Sequence, residues 1–378
     1  MAINKKLIHF KEKADFVNEV ANNNILDHSI VFIQDSKEIS THGTVYKTVN
    51  WSVLERKPDY MKVVTLEDGL TVSFTNPLEY SFDEITWQSL PANTKTPAIN
   101  KDQYVAFRAK LTPSSLSGIG TFSIDKQCDL KGNCMSLLFG DDFSDKVDLT
   151  GYDYAFHKLF YNQSNIKSVD PGFLPATTLA INCYYQMFYY CANLTTAPKL
   201  PATTLASKCY SDMFYYCANL TTAPELPATT LANNCYSNMF SGCTSLTIAP
   251  ELPATMLTKS CYYYMFNNCT SLTIAPELPA TTLANYCYGR MFNSCTNLTT
   301  APELPATTLE INCYNSMFYG CTNLNYIKAL FTNTPGSDYT SNWVSGVSST
   351  GTFIKSKDAT WDVTGNDGVP ANWTIEVV

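Results

Sequence analysis

Leu174-Pro175-Ala176-Thr177-Thr178-Leu179-Ala180-Ile181-Asn182-Cys183-Tyr184-Tyr185-Gln186-Met187-Phe188-Tyr189-Tyr190-Cys191-Ala192-Asn193-Leu194-Thr195-Thr196-Ala197-Pro198-Lys199 decides the fold, because it returns. Its opening Leu-Pro-Ala-Thr recurs at Leu200, Leu226, Leu252, Leu278 and Leu304, always 26 residues on, so that six copies run from Leu174 to Ala329. A fixed period of this size is the mark of a solenoid, in which each unit buries its apolar side only against its neighbours.

Within the unit, two readings follow from residue spacing. On a helical wheel of about 100° per residue, Leu179, Ala180, Cys183, Tyr184, Met187, Phe188 and Cys191 fall in one sector. These positions stay nearly constant from copy to copy, whereas Ile181, Asn182, Tyr185, Gln186, Tyr189 and Tyr190 occupy positions that vary. The spacing predicts a short amphipathic helix with Thr177 or Thr178 as N-cap. Leu194-Thr195-Thr196-Ala197 alternates and is stopped by Pro198, so a short strand is expected there, stacked into a narrow parallel sheet.

The unit resembles the BspA-type leucine-rich repeat, most closely in Phe240-Ser241-Gly242-Cys243-Thr244-Ser245-Leu246-Thr247-Ile248-Ala249-Pro250. The departures are extra length per unit and the proline pair. The resemblance spans about 155–329 and implies a leucine-rich-repeat solenoid used as a binding scaffold. Such scaffolds host many roles, so it specifies fold more than function.

Outward from the repeats, the chain reads as an α+β multidomain protein with a β-rich N-terminal half. Residues 1–58 form a small α+β unit: strands at Leu7–Phe10, Ser29–Gln34 and Glu38–Lys47, the last broken by Gly43, and a helix over Ala14–Asn22. Ser29 to Asp35 and Lys37 to Tyr46 resemble N-terminal segments of phage and prophage tail-fibre-like proteins of gut bacteria, which implies an attachment module. Residues 59–152 alternate as a β-sandwich, Ig-like or jelly-roll-like, around Val63, Leu70-Val72-Phe74, Tyr80-Phe82, Val105-Phe107-Ala109-Leu111 and Phe122-Ile124. Tyr80-Ser81-Phe82-Asp83 ahead of Trp87 is similar to the spacer that precedes such repeats in surface proteins. Residues 153–329 are the repeats, entered through a degenerate unit, Ala155 to Pro171, that reads as a cap. Residues 330–378 form a C-terminal β cap with Trp343, Trp361 and Trp373 in its core.

Composition excludes several functions. The net charge of -8 argues against a nucleic-acid partner, which needs a basic stripe. No apolar run is long enough for a membrane span, and the charged opening stretch, with Lys5, Lys6, Lys11 and Lys13, lacks the apolar core of a secretory signal. Twelve of the 14 cysteines are two per repeat. Along a helix Cys183 and Cys191 would lie about 12 Å apart, and neighbouring helices about 8–10 Å apart, so buried free thiols are expected rather than bridges or zinc. Cys128 and Cys134 flank Asp129-Leu130-Lys131-Gly132-Asn133, and a bridge across that turn is an open alternative. His9, His28, His42 and His157 have no second ligand at a useful spacing, and no nucleophile elbow, phosphate loop or Cys-His pair is present. Glu225, Glu251, Glu277 and Glu303 share one repeat position and read as a solvated edge, with Ca²⁺ as the sharper alternative.

The variable sector carries the functional expectation. Tyr185, Tyr189, Tyr190, Tyr215, Tyr216, Tyr263, Tyr264, Tyr286, Arg290 and Tyr319 form a candidate ligand-binding row, interspersed with Asn and Ser. Rigid amphipathic rings beside adaptable polar groups suit recognition, and aromatic rows suit stacking on sugars. Drift at unconstrained surface positions explains the same composition. The expected function is a non-enzymatic adhesin or receptor-binding component that presents this row to a host or bacterial glycan or protein. No catalytic set, cofactor or metal is expected. Residues 1–58 would join other structural proteins of a phage tail, and self-association is left open. The alternatives are a BspA-like cell-surface adhesin and a glycan-active enzyme with a repeat appendage.

Overall fold

In the computed structural model, residues 59–378 are described throughout, and before them the strands β1 (Leu7–Phe10), β2 (Ile30–Ile33), β3 (Glu38–Thr41) and β4 (Thr44–Thr48). These four make one sheet in the order β1-β2-β3-β4, with β1 and β2 parallel and the other pairs antiparallel. The helix expected over Ala14–Asn22 lies outside the described residues. The chain divides into two units, Met1–Asp59 and Tyr60–Val378.

The second unit begins with β5 (Met61–Thr65), β6 (Val72–Phe74), β7 (Leu78–Ser81), β8 (Gln88–Leu90), β9 (Tyr104–Arg108), β10 (Phe122–Ile124) and β11 (Cys128–Lys131). Period-two patterning places them: Met61, Val63 and Thr65 of β5 are buried while Lys62 and Val64 are less so. A six-stranded sheet runs β12 (Ile166–Val169)-β11-β5-β9-β7-β8, and β10 pairs with β6 in a second. Phe122 of β10 joins the two, with ring centroids 4.4 Å from Phe74 and 5.2 Å from Phe107. The edge strand β12 (Ile166–Val169) belongs to the degenerate unit and pairs parallel to β11. The β-rich part, the repeats and the C-terminal residues therefore share one hydrophobic core.

Cys128 and Cys134 are both free and buried. β11 carries the chain straight from Cys128 to Lys131, so the two thiols are not opposed across a hairpin.

The repeats stack in register, but their middle segments are not helices. Among the described residues the one α-helix is Ser136–Phe139. In each copy three residues, four apart, take left-handed φ: Asn182, Gln186 and Tyr190 in the first, Asn234, Asn238 and Gly242 in the third. Odd-numbered amides of the first copy close turns, as in Tyr185 N to Asn182 O and Met187 N to Tyr184 O. Even-numbered amides cross to the next copy: Tyr184 N to Cys209 O 3.0 Å, Gln186 N to Ser211 O 3.1 Å, Phe188 N to Met213 O 3.0 Å and Tyr190 N to Tyr215 O 2.8 Å. A four-residue turn period buries the same pairs as a 3.6-residue helix over so short a stretch, which is why the wheel read helix. The turn ladder satisfies its amides between copies, whereas an isolated helix of this length is marginal. It starts in the degenerate unit at Tyr154 and closes on residues 338–345, whose carbonyls receive the last copy's amides.

The other wall is extended. Single parallel bridges join equivalent residues, Thr196 to Thr222, Ile248 to Ile274, Thr178 to Thr204 and Met256 to Thr282. Prolines such as Pro198 and Pro250 keep each contact to one bridge by removing the next donor. Where that proline is missing, the wall widens into β13 (Tyr326–Ala329), β14 (Thr352–Lys355) and β15 (Thr374–Val377), a three-stranded parallel sheet.

Between the walls lie columns of identical side chains. Phe122, Phe160, Phe188, Phe214, Phe240, Phe266, Phe292 and Phe318 stack with centroids 5.4–5.8 Å apart, and Trp343 ends the column at 6.2 Å. A parallel column runs from Phe156 through Tyr184, Tyr210, Tyr236, Tyr262 and Tyr288 to Tyr314. The cysteine after each Phe donates its S–H to the Phe carbonyl one copy back, for example Cys243 Sγ to Phe214 O at 3.2 Å and Cys321 Sγ to Phe292 O at 3.0 Å. All 14 thiols are free and buried. Neighbouring copies are joined by backbone hydrogen bonds, so they lie about 5 Å apart rather than at helix spacing. Helix spacing therefore does not keep the thiols apart; all are free and buried, and the second cysteine of each copy donates its S–H to a Phe carbonyl. At the far end Trp343, Trp361 and Trp373 are buried, and their ring N–H groups donate to Gly368, Phe331 and Ser348 carbonyls.

Candidate functional site

The turn wall carries every residue of the candidate row: the apolar pairs of the ladder are buried, while the tyrosines of the row and Arg290 are half-buried or exposed. The backbone itself explains part of the composition. Asn, Asp and Gly tolerate left-handed φ better than other residues, and Asn182, Asn234, Asn238, Asn268, Asn312, Asp212, Gly242 and Gly320 all occupy it. Their four-residue spacing was the missed signal for turns, and their abundance is a conformational demand as much as a recognition surface.

The tyrosines fall into two clusters. In the first, Tyr161 stacks on Tyr189 at 5.0 Å, Tyr189 on Tyr215 at 4.7 Å and Tyr190 on Tyr216 at 5.0 Å, all within 13° of parallel. The two columns meet edge to face, Tyr189 with Tyr190 at 4.8 Å and 61°. Gly242 ends the ladder: a Cβ there would stand 2.8 Å from the Tyr216 ring, so only glycine lets that ring settle on the next copy. The rings cover one another's faces and leave mainly edges and hydroxyls to solvent, so the cluster suits hydrogen bonding more than stacking on a sugar. Tyr190 is the most open of the five, at 40 % exposure.

In the second cluster Tyr263 meets Tyr264 edge to face at 4.5 Å and Tyr286 at 5.9 Å. The Arg290 guanidinium lies 5.1 Å from the Tyr264 ring centroid and its Nη1 donates to the Tyr264 hydroxyl. Tyr185 lies apart from both clusters, beside buried His157 at 5.1 Å, whose pKa falls to about 4 through burial and then the Lys158 charge. Tyr319 is exposed on the sixth copy.

Asp212 stands in the left-handed middle column of the second copy. Its Oδ2 accepts from Ser211 Oγ at 2.9 Å. No cation lies within ion-pair distance of it among the described residues. Burial raises its pKa to about 6, against the lowering effect of Ser211, Lys208 and Asn238. Its charge acts on the phenols of Tyr185, Tyr189 and Tyr215, each raised first by burial.

The extended wall holds the glutamate row. Grooves of about 410 and 380 Å³ lie between successive copies, one lined by Glu225, Pro227, Pro250 and Glu251, the other by Glu277, Pro279, Pro302 and Glu303. Lys328 pairs with Glu303 at 3.0 Å. No group of three or more His, Cys, Asp or Glu side chains able to hold a metal occurs among the described residues. No helix of the described residues is long and apolar enough to cross a membrane. In the β-rich part Arg108 holds Glu79 at 2.7 Å and Asp141 at 2.8 Å, and Tyr60 donates to Asp141 at 2.7 Å. Comparison with family models, curated proteins and solved structures finds no match to this chain.

Proposed function

We propose that the chain is a non-enzymatic binding protein, a solenoid of the leucine-rich-repeat kind whose turn wall engages a glycan or protein. One observation carries the reading: the inward side chains repeat almost without change, while the outward positions of the same ladder gather tyrosines into ordered, partly exposed clusters. A structural wall needs no such gathering. The carboxylates brought together in the β-rich part, Glu79 and Asp141, are tied to one arginine, which does not favour a hydrolytic pair.

The segment 29–46 favours a phage tail or tail-like particle, with residues 1–58 as its attachment module. The likeness of Phe240 to Pro250 to BspA-type repeats supports a cell-surface adhesin as the second reading. Fractionation separates the two: the protein co-purifies with particles in the first and with cell envelopes in the second. The binding reading is tested by a glycan and host-surface screen of the whole chain and of a variant with Tyr189, Tyr215 and Tyr264 changed to Ser. Capture lost in the variant supports the turn wall, and unchanged capture removes it.

A further inference from the structure

We infer that the extended wall, at its third and fourth copies, docks a partner protein through a short segment that sets apolar side chains between lysines or arginines. This surface is separate from the turn wall and does not depend on the tyrosine clusters.

The repeat breaks its own pattern on this wall. The bridging position is threonine in copies one, two and five, Thr196, Thr222 and Thr300, and isoleucine in copies three and four. Ile248 and Ile274 bridge one another in parallel, so they stand side by side about 5 Å apart. They are 57 % and 59 % exposed. Copy four also carries Met256, 69 % exposed, where Thr178, Thr204 and Thr282 occupy the second bridging row. The fold does not require isoleucine there, because threonine fills the same position in three other copies. Adjoining exposed apolar residues rimmed by polar ones mark a contact surface, unlike apolar residues scattered singly.

Charge complementarity specifies the occupant. The two grooves of about 410 and 380 Å³ adjoin the isoleucine pair: the first includes Pro250, two residues after Ile248, and the second begins at Ala275, next to Ile274. Their prolines supply apolar walls and their glutamates supply charge. Lys328 pairs with Glu303 at the end of the row, whereas Glu225, Glu251 and Glu277 have no ion-pair partner among the described residues. These carboxylates do not gather in threes as a metal would need, so each takes its own counter-charge. A lysine or arginine fits, with its methylene stem on the prolines and its head at a carboxylate. A second copy docked by the same face would set these carboxylates against its own, and the net charge of -8 opposes that pairing. An anionic lipid surface is repelled for the same reason.

The test uses the full chain and a labelled peptide, Ser-Lys-Ser-Leu-Ser-Leu-Ser-Lys-Ser, which when extended presents Lys, Leu, Leu and Lys on one face. Two control peptides replace both leucines by Ser or both lysines by Glu. Fluorescence anisotropy should show the first peptide bound and each control weaker by about tenfold or more. Ile248→Thr with Ile274→Thr restores the residue that copies one, two and five already carry, and should weaken binding about tenfold. Glu251→Gln with Glu277→Gln should weaken it by a similar factor and remove most of its salt dependence. Isoleucine methyl NMR of the wild type locates the contact and needs no variant to fold. The methyls of Ile248 and Ile274 should shift on titration, while those of Ile181 and Ile311, exposed on the turn wall, should not. Equal binding by wild type and the isoleucine variant overturns the inference, as does no binding of the first peptide, or a shift shared by all four methyls. Tighter binding of the glutamate peptide overturns it too. The variant with Tyr189, Tyr215 and Tyr264 changed to Ser should bind the peptide as wild type does, so this surface and the turn-wall reading fail separately.

Discussion

Asp212→Asn should make the protein more stable at neutral pH, and the amount follows from its surroundings. Burial lifts the folded-state pKa from 3.8 to about 6. Each pKa unit is worth about 1.4 kcal/mol, so the ionised carboxyl destabilises the fold by about 3 kcal/mol once pH exceeds both values. The sign is fixed by proton counting. Between the unfolded and folded pKa values the native state binds more protons, so stability falls as pH rises through that window. Below it both states are protonated and the penalty vanishes. Asn keeps the shape, tolerates the left-handed φ and still accepts from Ser211 through its amide oxygen. Urea unfolding of wild type and variant across this range should show the variant ahead by about 3 kcal/mol at neutral pH and level with wild type near pH 3. A constant difference, or a variant less stable at neutral pH, would refute the claim that this carboxyl is buried without a counter-charge.

Three further outcomes follow from the packing. Thiol alkylation of the native protein, read by mass spectrometry, should label none of the 14 cysteines, and all of them after denaturation; burial holds Cys191 and Cys261 at about 12, far from the reactive thiolate, and native labelling would contradict it. Gly242→Ala should cost about 2 kcal/mol or more, because φ is +78° and the new Cβ meets the Tyr216 ring, whereas Gly172→Ala, with nothing within 4 Å, should be neutral. Calorimetric melting compares the two, and equal midpoints count against the ring-on-glycine contact. Tyr236→Phe should gain about 1 kcal/mol, since the Tyr236 hydroxyl is buried with no hydrogen-bond partner and the degenerate unit already carries Phe156 there. A loss of that size would mean that the hydroxyl is bonded.

Much of the architecture is legible in the sequence because it rests on periodicity. The 26-residue return, the inward identity of Cys183, Tyr184, Met187 and Phe188, and the strand stop at Pro198 all read directly from residue types. The turn ladder does not, because pairs at 179–180, 183–184 and 187–188 satisfy a helix and a four-residue turn alike over three steps. The deciding clue was the spacing of Asn182, Asn234, Asn238 and Gly242, residues suited to left-handed φ, on the side read as free to vary. The tyrosine clusters were legible as residues but not as a site. Whether rings offer faces or edges depends on what stands one copy away, such as Tyr215 beneath Tyr189 or Gly242 beneath Tyr216. Asp212 has no motif at all, and its environment exists only once three copies are stacked.

The central claim is that the middle of every copy is a ladder of left-handed turns, and Ser260→Gly tests it by sign. Ser260 sits at φ +54°, nearly buried, in a position where a Cβ is strained. Relief of that strain, about 1–2 kcal/mol, outweighs the chain entropy that glycine adds, so the urea midpoint should rise. In a helix the same change would lower stability by about 1 kcal/mol, and a fall in the midpoint would contradict the ladder.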